Sequence, residues 1–264
     1  MSPFILGADP ELFVVNDAGK YISSVGLFGG TKHDPKPIGN DCAIQEDNVA
    51  VEFNIPPADT AEAFAKSIQY ALTDIRRRAK FHNLHLSIAA SAVFDKDQLR
   101  TREAKRFGCE PDYNAWTGHS NPRPRALNRA LRSSGGHVHF GWNRQSPQHN
   151  VIHMVRGADV FIGCPLSQAD PDARRRLLYG KAGAFRNKPK YPGFEYRTPS
   201  NWWIANDDRV RWMFKQMSRL VEFLDNHPDC TFESEYTFVD ECINNNNVEA
   251  FTVLSNKYNL EVPV

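Results

Sequence analysis

The sequence contains few cysteines and no closely spaced pair of them. Its 264 residues include five cysteines, an odd number, and no CxxC spacing occurs. A disulfide framework is built from an even set, and a zinc ribbon needs paired cysteines. We therefore expect free thiols, most of them buried. The five are Cys42, Cys109, Cys164, Cys230 and Cys242.

Long apolar runs are also missing. No stretch approaches the roughly 20 consecutive apolar residues that a membrane-spanning helix needs. The first residues, MSPFILGADPELF, carry no basic segment, and Asp9 and Glu11 interrupt their short apolar run. They therefore do not resemble a secretory signal. These absences predict a cytoplasmic protein that has no membrane partner.

Neither sign of charge dominates. The chain has 32 Lys and Arg against 31 Asp and Glu, a formal net charge of +1. A protein that coats nucleic acid normally carries a clear basic excess, so we predict no nucleic-acid partner. The glycine-rich motifs GxxxxGK[ST] and GxGxxG are absent as well. Any nucleotide site must therefore be built in another way.

The patterns that are present alternate irregularly between strand and helix, with a hairpin signal near the start. This predicts an α+β fold with a mainly antiparallel sheet rather than a doubly wound parallel sheet. The length allows one large domain or two small ones. The expected strands cover residues 4–6, 12–15, 20–25, 49–55, 84–94, 137–142 and 194–198. The expected helices cover a segment capped by Thr60 and residues 150–161, 207–224 and 248–258. Apolar residues recur at helical spacing after Thr60 and in 207–224, which predicts a buried stripe on each of these helices. A loop is expected at 114–125, and a turn at 244–247.

Acidic, imidazole and guanidinium groups concentrate in a few short segments. These are GADPELF at 7–13, QEDN through VEFN at 45–54, GGHVHF at 135–140, and the stretches 174–186 and 194–203. Residues two apart on an extended strand project to one side. The pairs placed side by side in this way are Asp9 with Glu11, Glu52 with Asn54, His137 with His139, and Glu195 with Arg197.

Each segment by itself also has a plain structural interpretation. The acidic pair at residues 9 and 11 suits a solvated strand face, residues 47–48 suit a turn with Glu52 exposed, and the arginines at 174–176 suit a solvated helix face. Gly135 and Gly136 form a Gly-Gly entry to the expected strand that carries His137 and His139. Two histidines that follow such an entry favour a metal or phosphate site. Taken together, the carboxylates suit Mg²⁺ or Mn²⁺, and the arginines suit phosphate. The combination predicts phosphoryl transfer at a metal–nucleotide site.

The order of these motifs resembles the phage-type carboxylate–amine ligases, which are amidoligases of the glutamine synthetase-like superfamily and are related in fold to glutamate–cysteine ligase. The motifs GADPELF, VEFN, GGHVHFG, YGKAGAFR and FEYRTPSNWW carry the resemblance over about residues 5–205. It implies a curved antiparallel sheet with helices packed behind it. We expect one such domain over residues 1–264, with a C-terminal helical cap from about residue 206.

The resemblance also implies roles for individual residues. The implied metal ligands are Glu11, Glu52, His137 and Glu195, with Asp9 and Asp47 as further candidates. Three residues, His139, Arg186 and Arg197, would bind the ATP phosphates or the transferred phosphoryl group and act in catalysis. Arg176 and Lys181 are additional candidates for phosphate contact.

The implied activity is formation of an amide or isopeptide bond, dependent on ATP and on Mg²⁺ or Mn²⁺. The γ-phosphoryl group of ATP would pass to a substrate carboxylate, and an amine would displace phosphate from the acyl phosphate. The substrates would be small-molecule or peptide carboxylates and amines, in the host cytoplasm if the protein is phage-encoded, and a homo-oligomer is compatible with this. Two alternatives stay open: a metal-dependent hydrolase using the same side chains, and a non-catalytic protein that binds nucleotide or serves in assembly.

Overall fold

The chain folds into antiparallel sheets covered by helices. In this computed structural model the described residues are 3–105, 112–121, 128–143, 148–188 and 192–264. The strands are β1 Phe4–Ala8, β2 Glu11–Val15, β3 Tyr21–Ile22, β4 Lys36–Gly39, β5 Cys42–Asp47, β6 Ala50–Asn54, β7 His85–Ser87, β8 Ser91–Val93, β9 Tyr113–Asn114, β10 Leu131–Ser133, β11 Val138–Trp142, β12 Ala184–Asn187 and β13 Gly193–Tyr196. The α-helices are α1 Ala61–Phe81, α2 Val151–Ala158, α3 Cys164–Ala169, α4 Arg174–Leu178, α5 Asp207–Asn226, α6 Tyr236–Asn245 and α7 Val248–Tyr258.

Two larger sheets and one small one contain these strands. The first sheet has the order β1-β11-β13-β12-β9, and the second has the order β3-β2-β6-β5-β4 with β7 also paired to β2. Strands β8 and β10 form the small sheet. Every strand pair among the described residues is antiparallel. The predicted α+β fold with a curved, mainly antiparallel sheet is confirmed.

The two larger sheets are joined at Asp9-Pro10, where β1 of the first sheet becomes β2 of the second. The proline cannot donate a hydrogen bond, which suits a break between strands. Backbone hydrogen bonds continue on both sides of the break. The amide of Glu11 donates to the carbonyl of Gly135 (2.9 Å), and the amide of Phe53 donates to the carbonyl of Pro10 (3.2 Å). One curved surface therefore runs across both sheets.

Helices cover the other side of this surface. Thr60 caps α1 by accepting from the amide of Ala63 at 3.2 Å, as predicted. The apolar stripes predicted for α1 and α5 are both buried, and the two helices pack on each other. The ring of Phe64 on α1 stacks on that of Trp203, with 5.8 Å between centroids and 8° between planes. This contact fixes the helical layer against the segment that follows β13.

Helices α2 and α3 are two parts of one longer helix. The π-helical segment Asp159–Gly163 joins them, and each of its five residues is buried. The sequence predicts a helix only as far as residue 161, because its apolar periodicity is lost where a π turn adds a residue. The turn directs Asp159 toward β13, where it accepts a hydrogen bond from Tyr196 (2.7 Å).

One sequence-based expectation is wrong, and two others concern residues that the structure does not fully describe. Residues 84–94 were expected to form one strand, but they form β7 and β8, which belong to different sheets. Alternation of polar and apolar residues does not reveal such a break. Four of the cysteines are free thiols, as predicted, whereas Cys109 and the end of the loop expected at 114–125 lie outside the described residues. Within the part of the chain described, no helix has the length and apolar character needed to cross a membrane.

Candidate metal and phosphate site

The polar side chains of the first sheet form a row across its strands. His139 lies opposite Gly7 on one side and opposite Glu195 on the other, and Arg186 lies opposite Glu195 on the next strand. Directly opposed residues of antiparallel strands have side chains about 5 Å apart on the same face. Register alone thus brings an imidazole, a carboxylate and a guanidinium together, although about 50 residues separate the first from the other two.

One group of potential ligands surrounds Asp9. Atoms of Asp9, His139 and Glu195 lie within 4.8 Å of one another, and His139 Nε2 is 3.0 Å from Asp9 Oδ2. The second histidine is adjacent, because His137 Nδ1 is 3.5 Å from Asp9 Oδ1 and 3.7 Å from Glu195 Oε1. Both imidazoles therefore lie near Asp9, where a cation could bind. The assignment of His137 to metal and of His139 to phosphate stays a prediction.

The electrostatics of this group follow from its burial. Burial by itself would raise the pKa of Asp9, but the charge of His139 and hydrogen bonding to both histidines hold it well below its usual range. Burial lowers the pKa of His137 to about 3, helped by the positive charge of Arg197. A neutral imidazole beside an ionised carboxylate is the protonation state in which both can bind a metal.

A second group lies on the neighbouring sheet. Glu11, Asp47 and Glu52 also offer oxygens within 4.8 Å of one another. Glu52 faces Glu11 across one strand pair and Gln45 across the next. The alternative interpretation, in which Glu52 is an exposed strand residue, is wrong, since Glu52 is 8% exposed. The turn expected at 47–48 is present, and Asn48 donates to the Asp47 carboxylate at 2.9 Å.

These three carboxylates repel one another. Burial and the negative charge of Asp47 raise the pKa of Glu11 to about 7. Burial and the charges of Asp9, Glu11 and Asp47 raise that of Glu52 well above its usual range. Buried like charges are tolerated only when protonated or when a cation lies between them. The group thus has the electrostatic character of a cation site.

Both groups fit divalent metals. The set at Glu11, Asp47 and Glu52 is made of carboxylate oxygens, which hard cations such as Mg²⁺ and Mn²⁺ prefer. The set at Asp9 and Glu195 adds an imidazole nitrogen, which Mn²⁺ also accepts. His137 directs Nδ1 toward Asp9 and Glu195, and its Nε2, on the other side of the ring, is buried and makes no hydrogen bond to any described residue. A buried polar atom of this kind is uncommon unless something else binds it.

Three basic side chains surround Glu195. Arg197 forms a charged hydrogen bond with Glu195 Oε1, Lys188 Nζ lies 2.5 Å from Oε2, and Arg186 Nη1 lies 3.4 Å from Oε2. Arg197 is also held from the other side, since its Nε is 3.4 Å from Asp112 Oδ2 and its guanidinium lies 5.1 Å from the ring centre of Tyr179. A cationic wall therefore stands directly beside the Asp9 group.

The Gly-Gly entry brings the backbone close to both groups. The amide of Gly135 donates to Glu11 Oε2 at 2.7 Å, which orients that carboxylate. A Cβ at Gly136 would lie 2.1 Å from the carbonyl oxygen of Ser200, a distance no side chain can accept. Glycine is thus required for backbone approach.

Behind the sheet, Asp159 fixes the strand that carries Glu195 and Arg197. It accepts hydrogen bonds from Trp116 Nε1 (2.6 Å), the Gly183 amide (2.5 Å), the Tyr196 hydroxyl (2.7 Å) and Thr198 Oγ1 (3.2 Å). Burial raises its pKa to about 6 despite these donors. Tyr196 and Thr198 alternate along the chain with Glu195 and Arg197, so the bonds behind the sheet set the orientation of the side chains in front.

The structure thus brings together nine of the eleven site residues indicated by the sequence. Arg176 and Lys181 lie apart: Lys181 is exposed before β12, and Arg176 is buried beside α3. Sequence reasoning missed Lys188, Asp112, Tyr179 and Asp159. Lys188 was two residues from Arg186, so strand alternation gave a signal for it. Tyr179 begins the motif YGKAGAFR but was given no role, and no local pattern distinguished Asp112 and Asp159 from ordinary loop and helix residues.

Comparison with known proteins agrees with the sequence resemblance. Residues 129–227 match the model of the family described as phage phiEco32-like COOH.NH2 ligase-type 2. No curated protein matches the chain by sequence. The ligand-free structure of GmaS is similar with a TM-score of 0.53 at 13% identity, and the match covers 97% of this chain and 65% of GmaS. A complex of GmaS with ADP, in conformation 1, has a TM-score of 0.41 at 11% identity, with 97% and 69% covered.

The fold is therefore shared with GmaS. Residues 129–227, which include the GGHVHFG and EYRTPSNWW motifs, match the model of a COOH.NH2 ligase family, so the resemblance to carboxylate–amine ligases is confirmed over this part of the chain. The chain spans slightly less than two thirds of the length of GmaS.

Proposed function

We propose that this protein is an ATP-dependent carboxylate–amine ligase that uses two divalent metal ions. The observation that carries the proposal is the close juxtaposition of two metal-type ligand groups with a cationic wall. The groups are centred on Asp9 and Glu11, which are two residues apart, and the wall is formed by Arg186, Lys188 and Arg197. The ligase family match over residues 129–227 supports the same class of reaction.

The chemistry explains why such a site is needed. A carboxylate is a poor electrophile, and conversion to an acyl phosphate supplies a good leaving group. Transfer forms a bond between the carboxylate oxygen and the γ-phosphorus and breaks the bond to ADP. Attack by an unprotonated amine then forms the C–N bond, breaks the C–O bond to phosphate and releases one proton. Bound Mg²⁺ or Mn²⁺ would offset the repulsion between the triphosphate and the carboxylate.

The residues of the chain have distinct parts in this proposal. Asp9, Glu195 and the two histidines would hold one metal ion, and Glu11, Asp47 and Glu52 the other. Arg197 and Arg186 would donate hydrogen bonds to the phosphoryl oxygens, where charge is carried in the transition state. Lys188 would add a point charge beside them.

A trapping experiment tests the reaction class. The protein is incubated with Mg²⁺, ATP and a panel of amino acids and short peptides, with hydroxylamine as the amine. An acyl phosphate reacts with hydroxylamine to give a hydroxamate, which ferric ion reveals, and ADP forms in equal amount. Hydroxamate that depends on ATP, metal and a carboxylate supports the proposal. Cleavage of an amide without ATP favours the hydrolase instead, and failure to bind ATP with Mg²⁺ or Mn²⁺ at millimolar concentration contradicts the ligase.

A further inference from the structure

Arg176 is a buried guanidinium whose hydrogen-bonding capacity is only partly used. The residue lies on α4 and is 9% exposed. Its Nε and Nη2 atoms are shielded from solvent and make no hydrogen bond with any described residue. A buried donor without an acceptor is costly, and a buried charge without a partner more so. Something beyond the described side chains is therefore needed to satisfy this group.

A small cavity adjoins Arg176. It is bounded by α3, by α4 and by the segment that follows β13, and the space open to a water-sized sphere is about 20 Å³. A single water needs roughly 10–15 Å³ by this measure. The cavity therefore holds one or two small species and is much too small for a triphosphate. Its polar lining consists of Ser167, Asp170, Arg175, Arg176, Thr198 and Ser200.

The other polar groups of the lining are already engaged. The Ser200 hydroxyl donates to Asp170 Oδ2 at 2.7 Å, and Asp170 Oδ1 accepts from the amide of Asp172 at 2.9 Å. The Ser167 hydroxyl donates to the carbonyl of Cys164 at 2.7 Å. These bonds use both serine protons and give each Asp170 oxygen a donor.

The charges of the lining do not cancel. Arg175 donates from Nε, Nη1 and Nη2 to the carbonyls of Ser134, Thr198 and Arg197, which are neutral acceptors. The charges of Glu11 and Asp170 both act on Arg175, whereas Arg176 forms no ion pair with any described carboxylate. Nε and Nη2 of Arg176 lie on the same edge of the guanidinium plane, so both can donate to one acceptor. A buried guanidinium that lacks a counter-charge of its own favours an anion over a water.

We propose that this cavity is a binding site for a small monovalent anion of halide size, namely chloride, held by Nε and Nη2 of Arg176. The site is separate from the candidate metal and phosphate site, since Thr198 and Ser200 line it from behind the first sheet. A bound anion would join α4 to the segment that directly follows Arg197. Its effect is on stability, because it satisfies the buried guanidinium only in the folded state.

Bromide is the probe for the site itself. Crystals of the wild-type protein are soaked in sodium bromide, and diffraction is recorded at the bromine absorption edge. We expect an anomalous peak within hydrogen-bonding distance of Arg176 Nε and Nη2. An ordered water only, with no anomalous signal at saturating bromide, overturns the proposal. This measurement needs no variant, so the folding of a mutant does not limit it.

Thermal unfolding tests the same site in solution. We expect the Tm of the wild type to rise by about 2–4 °C in sodium chloride at roughly five times the Kd, relative to sodium gluconate of equal ionic strength. Arg176→Gln should lose this difference. Arg174→Gln is the matched control, because Arg174 is on the same helix but its side chain is 58% exposed, and it should keep the full shift. An equal chloride effect in wild type and Arg176→Gln contradicts the proposal.

Discussion

Glu11 on β2 and Glu52 on β6 lie directly opposite each other in an antiparallel strand pair, and the carboxylate of Asp47 lies beside both. Cross-strand pairs of like charge destabilise a sheet. A cation bound at the proposed metal site would offset this cost.

Replacing Glu52 should raise the stability of the metal-free protein and weaken metal binding. Glu52→Gln removes one of three repelling carboxylates, so we expect the metal-free protein to gain about 1–2 kcal/mol in free energy of unfolding. We also expect its Mn²⁺ stoichiometry to fall by one. Urea unfolding in EDTA and Mn²⁺ titration followed by electron paramagnetic resonance measure the two effects. Glu222→Gln, at an exposed position on α5, should change neither. Unchanged Mn²⁺ stoichiometry in Glu52→Gln would remove Glu52 from the metal ligands.

The raised pKa of Glu11 predicts a pH dependence of stability in the absence of metal. Its pKa is about 7 in the folded protein and 4.5 ordinarily. The folded state therefore binds more protons between these values, and the free energy of unfolding falls as pH rises from about 4.5 to 7. The contribution is on the order of 1–3 kcal/mol.

The neutral His137 has the opposite effect over part of this range, because its pKa is lowered to about 3. The difference between wild type and Glu11→Gln isolates the carboxylate. We expect Glu11→Gln to gain stability relative to wild type as pH rises from 5 to 7 in EDTA. Parallel stability profiles of the two proteins over that range would show that the Glu11 pKa is not raised.

Lys188 and Lys181 form a matched pair for testing the cationic wall. Lys188 contacts Glu195, whereas Lys181 is exposed. We expect Lys188→Met to weaken Mg²⁺–ATP binding about tenfold or more, since a partly buried charge beside phosphate is worth over 1 kcal/mol. Lys181→Met should change it less than twofold. Isothermal titration calorimetry gives both Kd values, and a larger loss in Lys181→Met would restore the sequence-based assignment of that residue to ATP.

Asp159 should be critical to stability because its carboxylate accepts four hydrogen bonds. Asp159→Ala leaves buried N–H and O–H groups without an acceptor, and we expect a loss of about 3–5 kcal/mol in free energy of unfolding. Chemical denaturation measures it. Asp229→Ala, at an exposed position after α5, should cost less than about 0.5 kcal/mol. A loss at Asp159 no larger than that at Asp229 would show that these hydrogen bonds do not anchor the strand.

A methyl group at Gly136 should disrupt the Gly-Gly entry. Its Cβ would lie 2.1 Å from the Ser200 carbonyl oxygen and 2.6 Å from Trp203 Nε1. We expect Gly136→Ala to lower the free energy of unfolding by about 2–4 kcal/mol. Gly7→Ala is the control, because its Cβ would meet His139 at an ordinary 3.6 Å. Equal stability of the two variants would contradict the close approach.

Local patterns accounted for much of the fold. Thr60 predicted the start of α1, and apolar spacing predicted the buried faces of α1 and α5. The turn predicted at 244–247 is confined to Asn246 and Asn247, because α6 extends to Asn245. Asn247 caps α7 by accepting from the amides of Glu249 and Ala250. Strands β4 and β5 were missed, as was the division of residues 84–94, because short strands in a curved sheet are defined by their partners.

The sequence by itself determined which chemical groups are available and on which strands they lie. Alternation along a strand sets Glu195 with Arg197, and this holds whatever the strands pair with. Asp9 and Glu11 lie instead on either side of the break between β1 and β2 and enter different ligand groups. Only the tertiary structure decided how these sets combine. The antiparallel register placed His139 beside Glu195 and Glu11 beside Glu52. It also placed Arg176 away from Arg186 and Arg197, with which the sequence had grouped it. Lys188 and Asp112, which the sequence had not indicated, lie at the site instead. Register and packing are long-range properties, because they depend on residues that are distant in sequence, and no local spacing encodes them.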